Sequence, residues 1–158
     1  MFLFRSPSQR QLSLALAALR VTVGTIFIAH GAQKLFTYGF AGVTGAFGQM
    51  GIPFPGVMGP AIALLEFFGG IALVIGLLTR LASLGLTFNM VGALMFVHLK
   101  GGFFLPSGYE YVFALLGASI ALVLTGAGQF SIDGFIDRSS KVSGGTVLAE
   151  RVASRKAA

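Results

Sequence analysis

Four apolar segments constrain the fold of this chain more than any other feature. They cover residues 12–36, 57–78, 81–99 and 109–125 of the sequence. Each has roughly 17–25 residues, enough to cross a hydrocarbon core of about 30 Å at about 1.5 Å per residue. Because lipid offers no hydrogen bonds to the backbone, these segments are expected to be helices. The sequence therefore predicts an all-α integral membrane protein, a four-helix bundle.

The composition excludes other classes of protein. Hydrophobic residues make up 55% of the chain and charged residues 10%, whereas soluble domains carry about 25% charged residues. Disorder is excluded too, since it needs low hydrophobicity and high charge. Without cysteine, the chain has no disulfide, thiolate metal site or iron–sulfur cluster. The first segment is longer than the apolar core of a signal peptide and no A-x-A site follows it, which favours a retained helix.

The positive charges indicate membrane topology rather than nucleic-acid binding, although the net charge is +6. Basic residues precede the first segment, lie between the second and third, and follow the fourth: Arg5, Arg10, Arg80, Arg138, Lys141, Arg151, Arg155 and Lys156. The positive-inside rule then places both termini in the cytoplasm. We interpret residues 1–137 as the transmembrane domain and 138–158 as a polar, basic cytoplasmic tail, with a short basic helix near residues 147–154.

The first outer loop contains a helical pattern. Phe40, Val43, Phe47 and Met50 recur at spacings of 3, 4 and 3, which predicts a short helix lying in the membrane interface. Interfacial anchoring is the simpler interpretation of this helix. A lid over the outer face of the bundle is the alternative.

Ionisable residues inside a bilayer cost about 2.5–3.5 kcal/mol each and mark candidate sites. Following the helix directions, five of them fall in the outer half of the membrane: His30, Lys34, Glu66, His98 and Glu110. Glu66 lies deepest, roughly 13 Å below the outer end. All four helices contribute to this set, which predicts a site near the outer face.

Several polar residues have a structural interpretation beside a functional one. Arg20 either pairs with Glu66 inside the bundle or extends to the cytoplasmic surface. Ser107 and Glu110 form an S-x-x-E pattern, which predicts a capping box on the fourth helix. Asn89 is expected to hydrogen-bond across the bundle. Ser131 and Asp133 predict a chain reversal and a cap after the fourth helix.

Two histidines near one carboxylate suggest proton chemistry. Histidine takes up and releases protons near neutral pH, so His30 and His98 beside an apolar cavity suit the redox chemistry of a lipid-soluble carrier. Together with the two glutamates, these histidines could also hold zinc or iron, but no H-x-x-x-H or E-x-x-H pair occurs. Two histidines in one outer cluster do not span a two-haem cytochrome, and nucleotide-binding motifs are absent.

In addition, an ordered set of motifs resembles the DoxX family from about Leu12 to Asp137. The matching stretches are His30–Phe36, Gly51–Pro53, Glu66–Gly70, Gly76–Arg80, His98, Gly101–Phe104, Gly108–Glu110, Gly126–Gly128 and Ser131–Asp133. The resemblance implies a small, multi-pass protein of the bacterial inner membrane. It also implies a link to quinone-dependent redox metabolism, since the family is named after relatives of a thiosulfate:quinone oxidoreductase subunit.

Three hypotheses about function follow. In the first, a quinone binds in the outer half, His30 and His98 relay protons, and Glu66 stabilises charge. Further cofactor-binding residues would be Arg20, Gln33, Lys34, Asn89 and Glu110. In the second, the bundle is a scaffold that recruits a partner enzyme and has no chemistry of its own. In the third, it transports a small solute. Expected partners are membrane lipid, an enzyme and a second copy of the chain, with no nucleic acid.

Overall fold

The computed structural model describes residues 6–140. Most of the predicted tail, including the basic helix near 147–154, lies outside these residues. Helix α1 spans Gln9–Ala32, and a π-helical turn, Gln33–Tyr38, joins it to α2, Gly39–Gln49. Three longer helices follow: α3 Pro55–Ile75, α4 Thr79–Ala93 and α5 Glu110–Thr125. A π-helical turn, Leu94–His98, and a 3-10 turn, Leu99–Gly101, extend α4, and residues 132–140 form α6.

The helices confirm a membrane protein of the all-α class. Within residues 6–140, three helical stretches are long and apolar enough to cross a bilayer: Gln9–Gln49, Pro55–Ile75 and Thr79–Gly101. Helix α5 is apolar but shorter, with 16 residues. A fourth crossing by α5 and the cytoplasmic placement of both termini stay predictions. The short helix predicted in the first outer loop is present as α2, although it follows α1 without an intervening loop.

Four helices pack side by side, in the order α1, α3, α4, α5, with α5 returning to α1. Their shared core contains Leu16, Val23, Phe27, Leu73, Leu86, Met90, Val112, Leu115 and Leu122. Helices α1 and α3 approach most closely at glycines. A Cβ on Gly24 would lie 2.7 Å from the carbonyl oxygen of Gly70, and one on Gly31 would lie 2.4 Å from the amide nitrogen of Phe67. These contacts fix the register between the two helices, since small residues permit close packing in lipid.

Of the two helix caps that the sequence predicts, the structure contains the one at Asp133 but not the one at Ser107 and Glu110. Asp133 accepts hydrogen bonds from the amides of Leu78 (2.8 Å) and Thr79 (2.9 Å), and so caps the start of α4. The predicted capping box of Ser107 and Glu110 is wrong. Helix α5 begins after Tyr109 without a side-chain cap, and the Glu110 carboxylate accepts from the Leu105 amide instead. The physical reason is that loop carbonyls already satisfy the amides of Tyr109 and Glu110.

Candidate functional site

Glu66 is the centre of a buried polar cluster. Glu66 is 4% exposed and lies near the middle of α3. Lys34 forms an ion pair with Oε2, and the Asn89 side-chain amide donates to Oε1 at 2.9 Å. Each carboxylate oxygen therefore has a donor, one from the turn after α1 and one from α4. This compensates the cost of burying the charge.

Close helix packing brings Lys34 to Glu66. Gly31 lies against the backbone of Phe67, the residue after Glu66. Because positions three apart share one face of a helix, Lys34 lies on the same face as Gly31. The lysine side chain then needs only to extend toward the neighbouring helix. Asn89 arrives from the other side, on the buried face of α4, as predicted for a hydrogen bond across the bundle.

A cavity of about 470 Å³ borders this cluster, and we call it the Glu66 cavity. It lies between α3 and α4, beneath α2 and the loop that follows it. Its walls are apolar apart from Lys34, Glu66, Asn89 and His98. The complete lining is Lys34, Phe47, Met50, Ile52, Pro53, Met58, Ile62, Leu65, Glu66, Gly85, Phe88, Asn89, Gly92, Ala93, Phe96, Val97 and His98. Its volume and its few polar groups are typical of a small-molecule site.

His98 reaches this cavity from the π-helical turn after α4. Its side chain is half-buried. Turns of this kind insert an extra residue into a helix and are frequent at functional sites. The structure therefore brings four of the predicted site residues to one place: Lys34, Glu66, Asn89 and His98.

Three other predicted residues lie elsewhere. His30 is exposed on α1, and its ring centroid is 6.4 Å from that of Tyr111 on α5. Gln33 is also exposed and does not line the cavity. Glu110 is held by the Leu105 amide at the start of α5. His98 therefore lines the cavity and His30 does not. In residues 6–140, no group of three or more potential ligands is placed to hold a metal ion.

Arg20 neither pairs with Glu66 nor extends to the surface. It is 1% exposed, and its guanidinium donates to the carbonyls of Leu73 (2.9 Å), Val74 (3.3 Å) and Phe130 (2.5 Å). The last carbonyls of a helix have no partner within it and attract such donors. Arg20 thus ties the end of α3 to the segment after α5, about 11 Å along α3 from Glu66.

Sequence reasoning missed the apolar wall of the site. Gly85, Asn89, Gly92 and Phe96 recur at spacings of 4, 3 and 4 and all line the cavity. The same spacing is equally typical of a surface that packs against another helix, so the sequence alone did not identify a cavity wall. A Cβ added to Gly92 would meet nothing within 4 Å, whereas one on Gly85 would meet Leu65 at 2.9 Å. Only the packed structure shows that open space lies beside Gly92.

Comparison with protein families gives two matches. The family model described as DoxX matches residues 15–99, and the one described as "TQO small subunit DoxD" matches residues 59–150. No solved structure is detectably similar to the chain.

Three individual relatives cover most of the chain. "Putative oxidoreductase CatD" of Bacillus subtilis is 35% identical over 78% of this chain and 87% of its own length. "Inner membrane protein YqjF" of Escherichia coli is 32% identical over 75% of this chain and 89% of its own. "Uncharacterized membrane protein Rv3486" of Mycobacterium tuberculosis is 29% identical over 80% of this chain and 83% of its own length.

Proposed function

This chain belongs to the DoxX family, and on that premise we propose that it is a quinone-binding component of a redox system in the bacterial inner membrane. The headgroup occupies the Glu66 cavity, beside Lys34, Asn89 and His98. The observation that carries the proposal is the Lys34–Glu66 ion pair in the wall of an apolar cavity. The names of two matches, an oxidoreductase and a TQO small subunit, support the redox assignment.

The residues of the cavity suit a quinone headgroup. A quinone held there would supply two-electron, two-proton redox chemistry, with the electrons coming from a partner enzyme. Lys34 Nζ has three N–H donors and uses one on Glu66, which leaves others for a ligand oxygen. Asn89 holds the carboxylate of Glu66 in place. His98 lines the same cavity from the π-helical turn after α4.

In this role, the chain crosses the membrane four times and one end of the helix bundle faces the cytoplasm. Gln9, Arg80 and Arg138 line one surface cavity at the end of the bundle opposite to the Glu66 cavity. Since Arg80 lies in the first turn of α4 and Arg138 follows α5, the positive-inside rule assigns this end to the cytoplasm. The Glu66 cavity then lies in the outer half of the membrane.

Ligand extraction tests the proposed function directly. The full chain is purified from bacterial membranes in mild detergent, and its bound lipids are extracted and identified by mass spectrometry. We expect a quinone in the wild type, at least tenfold less in Gly92→Phe, and an unchanged amount in Gly117→Phe. Both glycines offer open space for a side chain, but only Gly92 lines the cavity. Equal retention by the two variants, or no quinone in the wild type, would contradict the proposal.

The scaffold remains a second candidate because of a concave polar surface at the inner end. This surface cavity, of about 820 Å³, contains ionisable side chains of both signs: Arg80, Asp133, Asp137 and Arg138. Such a surface is suited to a soluble protein partner. Affinity purification of the chain distinguishes the two candidates: a pure scaffold recruits its partner equally with and without Gly92→Phe and carries no quinone.

A further inference from the structure

We propose that the Glu66 cavity is loaded sideways from the bilayer, through an opening between Leu65 of α3 and Phe88 of α4. The apolar tail of the ligand leaves through the same opening and lies in lipid. This inference rests on the proposed function, which places the polar headgroup at Lys34, Glu66 and Asn89. It adds the access route and the chemical class of the ligand, an amphiphile dissolved in the membrane.

Phe88 borders both the cavity and the outside of the bundle. Phe88 lines the cavity and is nevertheless 69% exposed. It lies nine residues after the start of α4, about 14 Å along the helix from its first residue, Thr79. The helical stretch Thr79–Gly101 is about 33 Å long, so this position falls within the hydrocarbon layer. A side chain that is exposed at this depth faces lipid, and the cavity behind it therefore borders lipid as well.

The residues around the opening are apolar. Leu65 is half-buried and faces Gly85 across the α3–α4 contact. On the outward face of α4, the exposed neighbours of Phe88 are Leu84 and Val91. An alkyl or isoprenoid chain meets no polar group there, whereas a charged solute would have to cross lipid to reach the opening. The geometry thus selects for a lipid-soluble ligand.

The outer end of the cavity is covered instead. Phe47 and Met50 from the end of α2, with Ile52 and Pro53 from the following loop, form its lining there. Helix α2 is packed on α3, where the backbone of Thr44 lies against Gly59. Loading from the aqueous side would require this cover to move. Loading from the side requires only that Phe88 change its rotamer at a lipid-exposed position.

The headgroup and the opening lie at the same depth. Glu66 is eleven residues from the start of α3, about 16 Å below its outer end, and Asn89 is the neighbour of Phe88. A ligand that enters past Phe88 therefore meets the polar cluster at once. Its tail need not bend along the bundle to stay in lipid.

A photoreactive probe tests the route. The full chain is reconstituted into lipid nanodiscs with a ubiquinone analogue whose short alkyl tail ends in a diazirine. After irradiation, adducts are located by peptide mass spectrometry. We expect adducts on Leu65, Phe88 and their neighbours, reduced at least tenfold by an excess of the same analogue without the diazirine. Gly92→Phe should reduce them equally, while Gly117→Phe should leave them unchanged.

The possible outcomes separate this inference from the proposed function. Displaceable adducts confined to the segment 47–53 would overturn the side route but leave a quinone site. Adducts at Phe88 that excess analogue does not displace would overturn both, because they report general lipid contact. Labelling of the half-buried Leu65 by a phospholipid with a diazirine in its acyl chain, unaffected by an excess of the quinone analogue, would assign the cavity to ordinary lipid and overturn both.

Discussion

Lys34 and Glu66 lie 32 positions apart in the chain and form an ion pair at the wall of an apolar cavity. The two partners are not equivalent. The Lys34 side chain is 21% exposed and that of Glu66 is 6% exposed. Lysine has a long stem through which its ammonium can reach the outer surface. Glu66, in the middle of α3, has no such route.

This asymmetry predicts different costs for the two single substitutions. Lys34→Met leaves Glu66 buried without its cation and is expected to lower the free energy of unfolding by about 3 kcal/mol. Glu66→Gln is expected to cost less, about 1–2 kcal/mol, because Lys34 can turn toward water. Unfolding by sodium dodecyl sulfate in mixed micelles measures both. The double variant should be close to Glu66→Gln alone; additive losses would show that the pair is not coupled.

Asn89 should matter through its hydrogen bond to Glu66. Asn89→Leu removes a donor to a buried carboxylate, which is expected to cost about 1.5–3 kcal/mol. Asn89→Asp should be worse, since it places a second acidic group beside Glu66. Ser83→Ala on the same helix is the control, because the buried Ser83 hydroxyl has no hydrogen-bond partner among the described residues. The same micelle titration should find that control unchanged or slightly stabilised.

The glycines of α1 and α5 provide a matched comparison of helix packing. Gly31→Ala would press a Cβ into the backbone of Phe67 and is expected to cost about 1–3 kcal/mol, the usual range for overpacking. It should also weaken quinone retention, because it moves Lys34 away from Glu66. Gly117→Ala fills open space on α5 and should stabilise its helix by roughly 0.5–1 kcal/mol. Equal effects in thermal unfolding would refute this account of the α1–α3 contact.

The remote cap of α4 is tested at Asp133. Asp133→Ala leaves the amides of Leu78 and Thr79 without their acceptors, which is expected to cost about 0.5–2 kcal/mol. Asp133→Asn keeps one acceptor oxygen and should retain part of that stability. Quinone extraction should be unchanged in both variants, since the cap lies at the other end of the bundle. A loss of quinone from correctly folded Asp133→Asn would argue against two independent ends.

The sequence predicted the helices and some of the site residues, but not how those residues are paired. The apolar segments predicted the ends of α3, of α5, and of α4 with the turns that extend it to within three residues. The spacing of Phe40, Val43 and Phe47 predicted α2. Residue type and depth identified Glu66, and they predicted a hydrogen bond from Asn89 across the bundle without naming its acceptor. Depth alone, however, made Arg20 the candidate partner of Glu66, and it grouped His30 with His98. Their positions around the helix axes separate them: His98 lines the cavity, and His30 faces away.

The sequence by itself determined that this chain is an all-helical membrane protein with one deeply buried glutamate. Both conclusions depend on hydropathy and on the cost of placing charge in lipid, which are local properties. Only the tertiary structure decided which cation meets Glu66 and where the cavity lies. The register of α1 on α3 is set by backbone contacts at Gly24 and Gly31. That register carries Lys34 to Glu66 and Arg20 to the last carbonyls of α3.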